Sequence, residues 1–594
     1  MTFHGSIPAG IPLQDDLPPM ESVPGSKTAP AILGLMFREE RLFLLISVFI
    51  GILSGLAVVC FRFAIDWSRL YLLGPDISPS PLRLLLAPAL TGLVVATLVI
   101  HAFPSTRGSG VNQTKAALYI YNGYISFRTA AGKFITAALA IGSGHSLGPE
   151  DPSLQIGAGL ASALGRRLHL SRERMRLIAP VGAAAGLAAA FNAPISAVLF
   201  VIEEVIGRWS AGVLGSVVLS AVSSVVVMRW FLGSEPLFRI PAIGLMRPAE
   251  LLAYAVLGIV GGLASSVFSR AIVGLRPRLR AFPAWTQYLQ PAVAGLLIGL
   301  IGVLGAPQVM GAGYEFIDQA IHGQFTWQML AILAALKILA TTLSFVTGTP
   351  GGMFAPTLFI GAMLGAATGG VERIFLPHLG VSTGTYAMVG MGVLFAGFLR
   401  APMTSVFMVL EVSGNYSVIL PVIVANTFAY VISRSLQSTP IFDVLTRQDG
   451  LDLPSMEEQR EAEFLRTEDA MQPARTSVLE GSDTLNQAWK DGQQSADFDH
   501  WLVRMNPTGW SSVSRKELKT MVDEGKGDLT LASVLATRRV PYLHPDQPLE
   551  MALRYVDQWP LVPVVSRADF RKLEGVISHK AVLDRYRAFD SEGE

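Results

Sequence analysis

Charge is what this chain is short of. Only 15% of its 594 residues are Asp, Glu, Lys or Arg, against roughly 25% in ordinary soluble domains. The shortage is uneven. Of the 91 charged side chains, 43 fall in residues 451–594, about 30% of that stretch against about 11% of residues 1–450. A soluble tail therefore follows a body too poor in charge to face water on all sides. Cysteine is scarcer still: the lone Cys60 excludes an internal disulfide and says nothing about compartment. There are nine histidines and no H-E-x-x-H, so zinc-protease chemistry has no site. A net charge of +1 leaves nothing for a nucleic-acid partner.

What is present in quantity is apolar sequence. LFLLISVFIGILSGLAVVCF (42–61), LLLAPALTGLVVATLVI (84–100) and VILPVIVANTFAYVI (418–432) approach or reach the roughly 20 residues that span a bilayer as a helix. Several runs are short, or are broken by some of the 57 glycines and by proline. The reading is a multi-pass α-helical bundle with broken helices, not uniform rods. No cleavable signal peptide is visible, and the polar, Pro-rich N-terminus to about residue 35 is expected to be disordered and cytoplasmic. The basic segment GRRLHLSRERMR (165–176) points to a cytoplasmic loop.

The body repeats itself. NAPISAVLFVIEE (192–204) matches RAPMTSVFMVLEV (400–412), and PSLQIGA (152–158) matches PTLFIGA (356–362). Gly182, Pro194 and Glu203 of the first copy keep the same spacing as Gly390, Pro402 and Glu411 of the second. The two matched pairs come in the same order and at nearly one offset. Duplicated halves of interrupted apolar helices are a transporter pattern, with the substrate site where the broken helices end.

Three Gly-containing breaks precede stretches able to form helices: RGSGVN (107–112), GPEDP (148–152) and GGMFAP (351–356). A helix N-terminus presents unpaired N–H groups and about half a positive charge. Several such ends converging at the midplane would hold an anion without a buried cation. Ser109 adds a neutral hydroxyl. Glu150 is a carboxylate at membrane depth, where carboxylates are costly and serve pathways or relays. It could fill an anion site itself, then leave once protonated, which would couple protons to anion movement.

On these residues the body, from 36 to 446, resembles the CLC family of chloride channels and chloride/proton antiporters. GSGVN, GPEDPSLQIGAG, AAFNAPISAVLFVIEE, GGMFAP and RAPMTSVFMVLEVSGNYSVILPVIVAN occur in the family's order. The resemblance implies an inverted-repeat fold, a homodimer with one pore per subunit, and voltage-sensitive anion transport, as chloride/proton antiport or as a passive gated channel. It puts Glu150 on the gating glutamate, Ser109 on the central-site serine, and the Met353 and Phe354 amides on the donors to chloride. It puts Glu204 on the internal proton-transfer glutamate; Glu411, the repeat counterpart of Glu203, is read as structural. A solvated acidic helix end is the plain alternative for Glu203 and Glu204.

Four positions depart from the family pattern. Pro149 replaces a basic residue and removes a backbone N–H, Asp151 replaces a glycine, Asn112 a proline, and Phe442 a tyrosine whose hydroxyl binds chloride. A second carboxylate so near disfavours ionisation of Glu150 where both leave water, and Phe442 offers chloride no hydroxyl.

After a linker at 447–462, residues 463–590 carry a weaker duplication, DTLNQAW (483–489) and QPLEMAL (547–553). It resembles a pair of CBS domains, expected to be cytoplasmic. Such pairs use S/T-x-x-D toward a ribose, but here the matches are Ser514 with Glu517 and Ser578 with Ala581. Adenine nucleotide is thus a weak expectation beside dimerisation, and no other cofactor or metal is implied. Chloride, protons, lipid and a second copy are the expected partners, and the cell membrane the expected location. GHSLG (144–148) matches a hydrolase nucleophile motif around Ser146, but its context is Gly-rich and apolar, without the strand the motif needs. No enzyme is expected.

Overall fold

The computed structural model describes residues 29–75, 80–207, 211–238, 250–375, 382–451, 453, 465–473, 478–493, 500–505 and 509–592. They form two units that divide at Leu451 and Asp452.

Among the described residues, the regular structure of the first unit is helical. In its first half run α1 (Ala29–Leu72), α2 (Pro81–His101), α3 (Gly110–Tyr119), α4 (Phe127–Gly142), α5 (Glu150–Arg167), α6 (Arg172–Phe191), α7 (Pro194–Phe200, continued by a π-helical turn, Val201–Ile206) and α8 (Ala211–Leu232). The second half holds α9 (Glu250–Arg280), α10 (Thr286–Val303), α11 (Tyr314–Ile321), α12 (Trp327–Val346), α13 (Phe354–Phe375), α14 (Thr383–Leu394), α15 (Pro402–Ser413) and α16 (Ile419–Leu436); α17 (Ile441–Gln448) closes the unit. Nine stretches among the described residues are long and apolar enough to cross a membrane. Leu289, Val293, Leu296 and Leu300 of α10 and Leu420, Ile423 and Val431 of α16 are exposed, as lipid-facing side chains must be. α1 starts at Ala29, inside the stretch expected to be disordered, with Pro30 in its first turn, where proline's missing N–H costs nothing. Residues 1–28 and most of the expected linker (452 and 454–462) lie outside the described residues.

The duplication extends further than the sequence revealed. Helix for helix, α2 to α8 correspond in order to α10 to α16, at a nearly constant offset along the chain. Packing repeats too: α1 lies on α8 as α9 lies on α16, and α5 on α6 as α13 on α14. The crossing of α5 and α6 brings Gly157 against the Gly182 backbone; that of α13 and α14 brings Gly361 against Gly390. A side chain at any of the four would strike a carbonyl, so glycine is what lets these helices touch. Asn192 and its repeat counterpart Arg400 both take left-handed backbone (φ 56° and 61°) just before the Ala-Pro that opens α7 and α15. The scaffold imposes that turn even on an arginine, for which it is unfavourable.

The second unit holds two copies of one motif. In the first, β1 (Val478–Glu480) pairs parallel with β2 (His500–Met505), which pairs antiparallel with β3 (Gly509–Ser514); helices Leu485–Gln493 and Arg515–Asp523 follow β1 and β3. In the second, Leu543 makes a single parallel bridge to β4 (Leu561–Val565), which pairs antiparallel with β5 (Leu573–Ser578), with helices Leu549–Val556 and His579–Glu592. Each copy has its own apolar core, around Trp501 and Val503 in one and Leu549 and Val562 in the other. A third cluster joins them: Leu502 and Trp510 meet Leu561, Val565 and Val576.

Candidate anion and proton site

The breaks at 148–152 and 351–356 are tied together. Gly148 N donates to Gly352 O (2.8 Å) and Gly352 N to Gly148 O (2.9 Å), an antiparallel bridge between equivalent positions of the two repeats. It sets the first turns of α5 and α13 side by side. Glu150, the first residue of α5, is fully buried. Its carboxylate lies against Gly148 and the amide of Ala355 in α13, with no well-formed hydrogen bond to either oxygen. Met353 and Phe354 are buried at the start of α13, as expected, and the first amides of that helix have no intrahelical acceptor.

The N-terminus of α3 completes the centre. Ser109 is its N-cap, accepting from Val111 N (3.1 Å). Asp151 reaches the same end: its Oδ1 accepts from Gly110 N (2.5 Å) and Val111 N (3.1 Å), with the Ser109 side chain beside it. Asp151 thus caps another helix, a placement that its spacing from Glu150 could not reveal. Asn112 donates through Nδ2 to Phe442 O (3.2 Å), joining α3 to α17. The Phe442 ring packs in an aromatic wall with Phe354 (6.3 Å between centroids) and Phe200 (6.5 Å), and Phe395 stacks on Phe354 (5.6 Å).

Two cavities approach these residues and share no lining side chain. One, about 530 Å³, is lined by Ser109 and Asn112, with Arg107, Arg276 and Arg280 against the single acid Asp449. Its excess of positive charge attracts anions. The other, about 490 Å³, is lined by Pro149 and carries Arg62 and Arg69 against Asp66 and Glu315.

Glu203 and Glu204 lie in the π-helical turn that extends α7, and both are buried, so the solvated-end reading falls. They point to different tasks. Glu203 takes the N-terminus of α15, accepting from Met403 N (3.3 Å), Thr404 N (2.9 Å) and Thr404 Oγ1 (2.6 Å). Glu411 does the same for α7, accepting from Ile195 N, Ser196 N and Ser196 Oγ at 2.6–2.9 Å. Glu204 instead stands 3.6 Å from Lys115 Nζ, which is itself 2.7 Å from Asp443 Oδ1. All three are almost wholly buried. Sequence reasoning missed Lys115 and Asp443, as well as Lys133 and Lys337. The latter pair carried a signal: single lysines in apolar helices, at equivalent positions of the two repeats.

Ser146 is fully buried. Its hydroxyl shares a hydrogen bond with Thr341 Oγ1 (2.9 Å), and the adjacent His145 ring meets Pro88 O (3.1 Å). In the second unit the two S/T-x-x-D candidates are helix caps. Ser514 and Glu517 form a capping box, extended by Arg538 on Glu517 (3.0 Å), and Ser578 Oγ accepts from Ala581 N (3.2 Å).

Comparison with known proteins places this geometry. Residues 91–434 match the family described as "Voltage gated chloride channel". The H(+)/Cl(-) exchange transporter ClcA of Salmonella arizonae is 32% identical over 414 residues, 68% of this chain and 87% of the relative. A slow cyanobacterial Cl-/H+ antiporter superposes with a TM-score of 0.64 at 25% identity, over 68% of this chain and 97% of that one. A eukaryotic CLC transporter shares the fold over 92% of this chain and 98% of its own, with a TM-score of 0.61 at 19% identity.

Proposed function

Because the chain belongs to the voltage-gated chloride channel family, we propose that it exchanges chloride for protons across a membrane, with Glu150 as the gate. The observation that carries this reading is Glu150 itself: a buried carboxylate beside converging helix N-termini, with neither oxygen held by a good hydrogen bond. Such a group is poised to compete with a mobile anion and to accept a proton when displaced.

In the proposed cycle, chloride gathers in the Arg-lined cavity and sheds water at the α3 and α13 ends. There Ser109 and the Met353 and Phe354 amides receive it. Phe442 supplies an apolar wall and no donor. Glu150 alternates between its anion position and a protonated, withdrawn one, and Glu204 passes the proton toward the opposite face. Chloride leaving as a proton enters moves charge in one direction, so the cycle responds to voltage, by about 2.3 kcal/mol per charge per 100 mV. In this reading the protein is a homodimer of inverted-repeat subunits in the cell membrane. The two βαββα copies, with their repeated order of strands and helices, are a cytoplasmic CBS pair used for dimer contact.

One observation favours the alternative of a passive gated channel. Glu204 stands in a buried ion cluster, 3.6 Å from a Lys115 that is paired at 2.7 Å with Asp443, an arrangement that also suits a purely structural role for that carboxylate. Chloride-driven proton uptake in liposomes, with the membrane potential shunted, decides between them. Uphill proton movement is the expected result; chloride flux without it makes the protein a channel and Glu150 only a gate.

A further inference from the structure

We propose that Asp151 is a second tethered anion, which occupies the α3 end and must give way before chloride can take the Gly110 and Val111 amides. This rests on the reading above that the converging helix ends form an anion path.

The α3 end is already filled by a side chain. One oxygen of Asp151 takes the amides of Gly110 (2.5 Å) and Val111 (3.1 Å), with the Ser109 hydroxyl beside them. These are the donors an anion would use there. The other oxygen, Oδ2, is fully buried and has no hydrogen-bond partner. A carboxylate kept only as a cap would have no reason to leave an oxygen unsatisfied at such cost.

The surroundings make room for the group and favour its charge. A Cβ on Gly110 would meet Asp151 Oδ1 at 2.9 Å, and one on Gly352 would meet Asp151 Cβ at 2.5 Å. Lys133 lies within electrostatic range of the carboxylate. Its Nζ is anchored on Thr106 O (3.1 Å) and Gly108 O (2.6 Å), just ahead of α3. The second repeat lacks the arrangement: at the positions equivalent to Ser109 and Asp151 stand Gly313 and Ala355. Asp151 is therefore no requirement of the scaffold.

A tethered carboxylate competes at high effective concentration. Chloride can take the α3 amides only when Asp151 rotates away or is neutralised. Glu150 and Asp151, adjacent in sequence, would then guard two different helix ends, α13 and α3. Passage of one chloride would require both to yield.

The test is chloride binding to the purified full-length protein by isothermal titration with sodium chloride, for the wild type, Asp151→Asn and Asp151→Gly. Asn keeps an acceptor for the α3 amides and loses the charge; Gly loses both. The expected result is tighter chloride binding in both variants, by about tenfold in Asp151→Gly, the factor that 1.4 kcal/mol of lost competition supplies. Binding within twofold of wild type in both would overturn the proposal and leave Asp151 a cap. If Asp151→Gly does not fold, Asp151→Asn alone decides on the same criterion. Proton uptake by the same wild-type protein in liposomes keeps the two readings apart. Tighter binding in the variants without proton coupling in the wild type would sustain this proposal and sink antiport.

Discussion

The two repeats of the membrane unit build the same frame and furnish it differently. Lys133 holds the carbonyls of Thr106 and Gly108, and its counterpart Lys337 holds those of Val309 and Gly311 (3.0 and 2.8 Å). Glu203 caps α15 while Glu411 caps α7. Gly148 and Gly352 bond to each other. Yet where the first repeat continues with Glu150 and Asp151, the second has Phe354 and Ala355, and Gly313 replaces Ser109. One half supplies carboxylates and the other backbone amides. Symmetric packing brings the ends together, and in the proposed cycle the asymmetric side chains are what would make the junction an anion site. The lesson is that frame and chemistry can be tested separately.

The largest effect should come from removing the first repeat's charge. Glu150→Gln should abolish chloride-coupled proton movement in liposomes while chloride flux persists. Glu204→Val should likewise remove proton transport, by on the order of 100-fold or more for the loss of an essential proton carrier, and spare chloride. Proton coupling intact in Glu150→Gln would collapse the distinction between the halves.

Next come the lysines. Lys133→Met and Lys337→Met each strip a donor from two buried carbonyls, which should cost about 1–3 kcal/mol per orphaned group, read as a fall in Tm in detergent. The losses should be similar, since the frame is shared. Only Lys133→Met should also alter chloride affinity, because Lys337 faces the Phe359 ring (4.7 Å) rather than a carboxylate.

The paired caps should show smaller, matched effects. Glu203→Gln and Glu411→Gln keep the shape and lose the charge at a helix N-terminus, for about 1 kcal/mol each. Proton coupling should survive both, in contrast to Glu204→Val.

Much of this was readable beforehand, and the failures have physical causes. The motifs at 107–112, 148–159 and 351–356 announced helix ends, because Gly and Pro mark where helices stop and start. The repeat was visible only where small residues and Pro pin helix contacts, at α5 to α7 and α13 to α15. The flanking α1, α2, α9 and α10 face lipid, where many apolar sequences serve equally, so their equivalence is structural only. From sequence, Asp151 reads as a neighbour acting on Glu150. In a helix, adjacent residues point about 100° apart, which aims one at α13 and the other back at α3. The same divergence separates Glu203 from Glu204. In the tail, S/T-x-x-D and a capping box share one spacing, and only contacts tell them apart.

The smallest effect belongs to that tail, where the two copies also differ. Partial burial works against the Glu517 charge, but the Ser514 amide and Arg538 outweigh it and hold the carboxyl below its usual range. Its contribution is thus complete above the ordinary carboxylate pKa and is lost as pH falls through the lowered one. Ser514→Ala should loosen helix Arg515–Asp523 by about 1 kcal/mol, seen as faster amide exchange there in the full chain. Ser578→Ala should do less, having no Glu partner at Ala581.

The Gly148–Gly352 bridge also bears on how the pathway can open. It works as a rivet at the meeting point of the two halves. Any rocking that drew α5 from α13 would break both of its bonds at once, between two buried glycines. Rotation of the Glu150 or Asp151 side chain breaks neither. In the proposed cycle, passage through this junction would then be a matter of a few atoms swinging within a fixed frame, with each turnover paced by carboxylates rather than by the bundle.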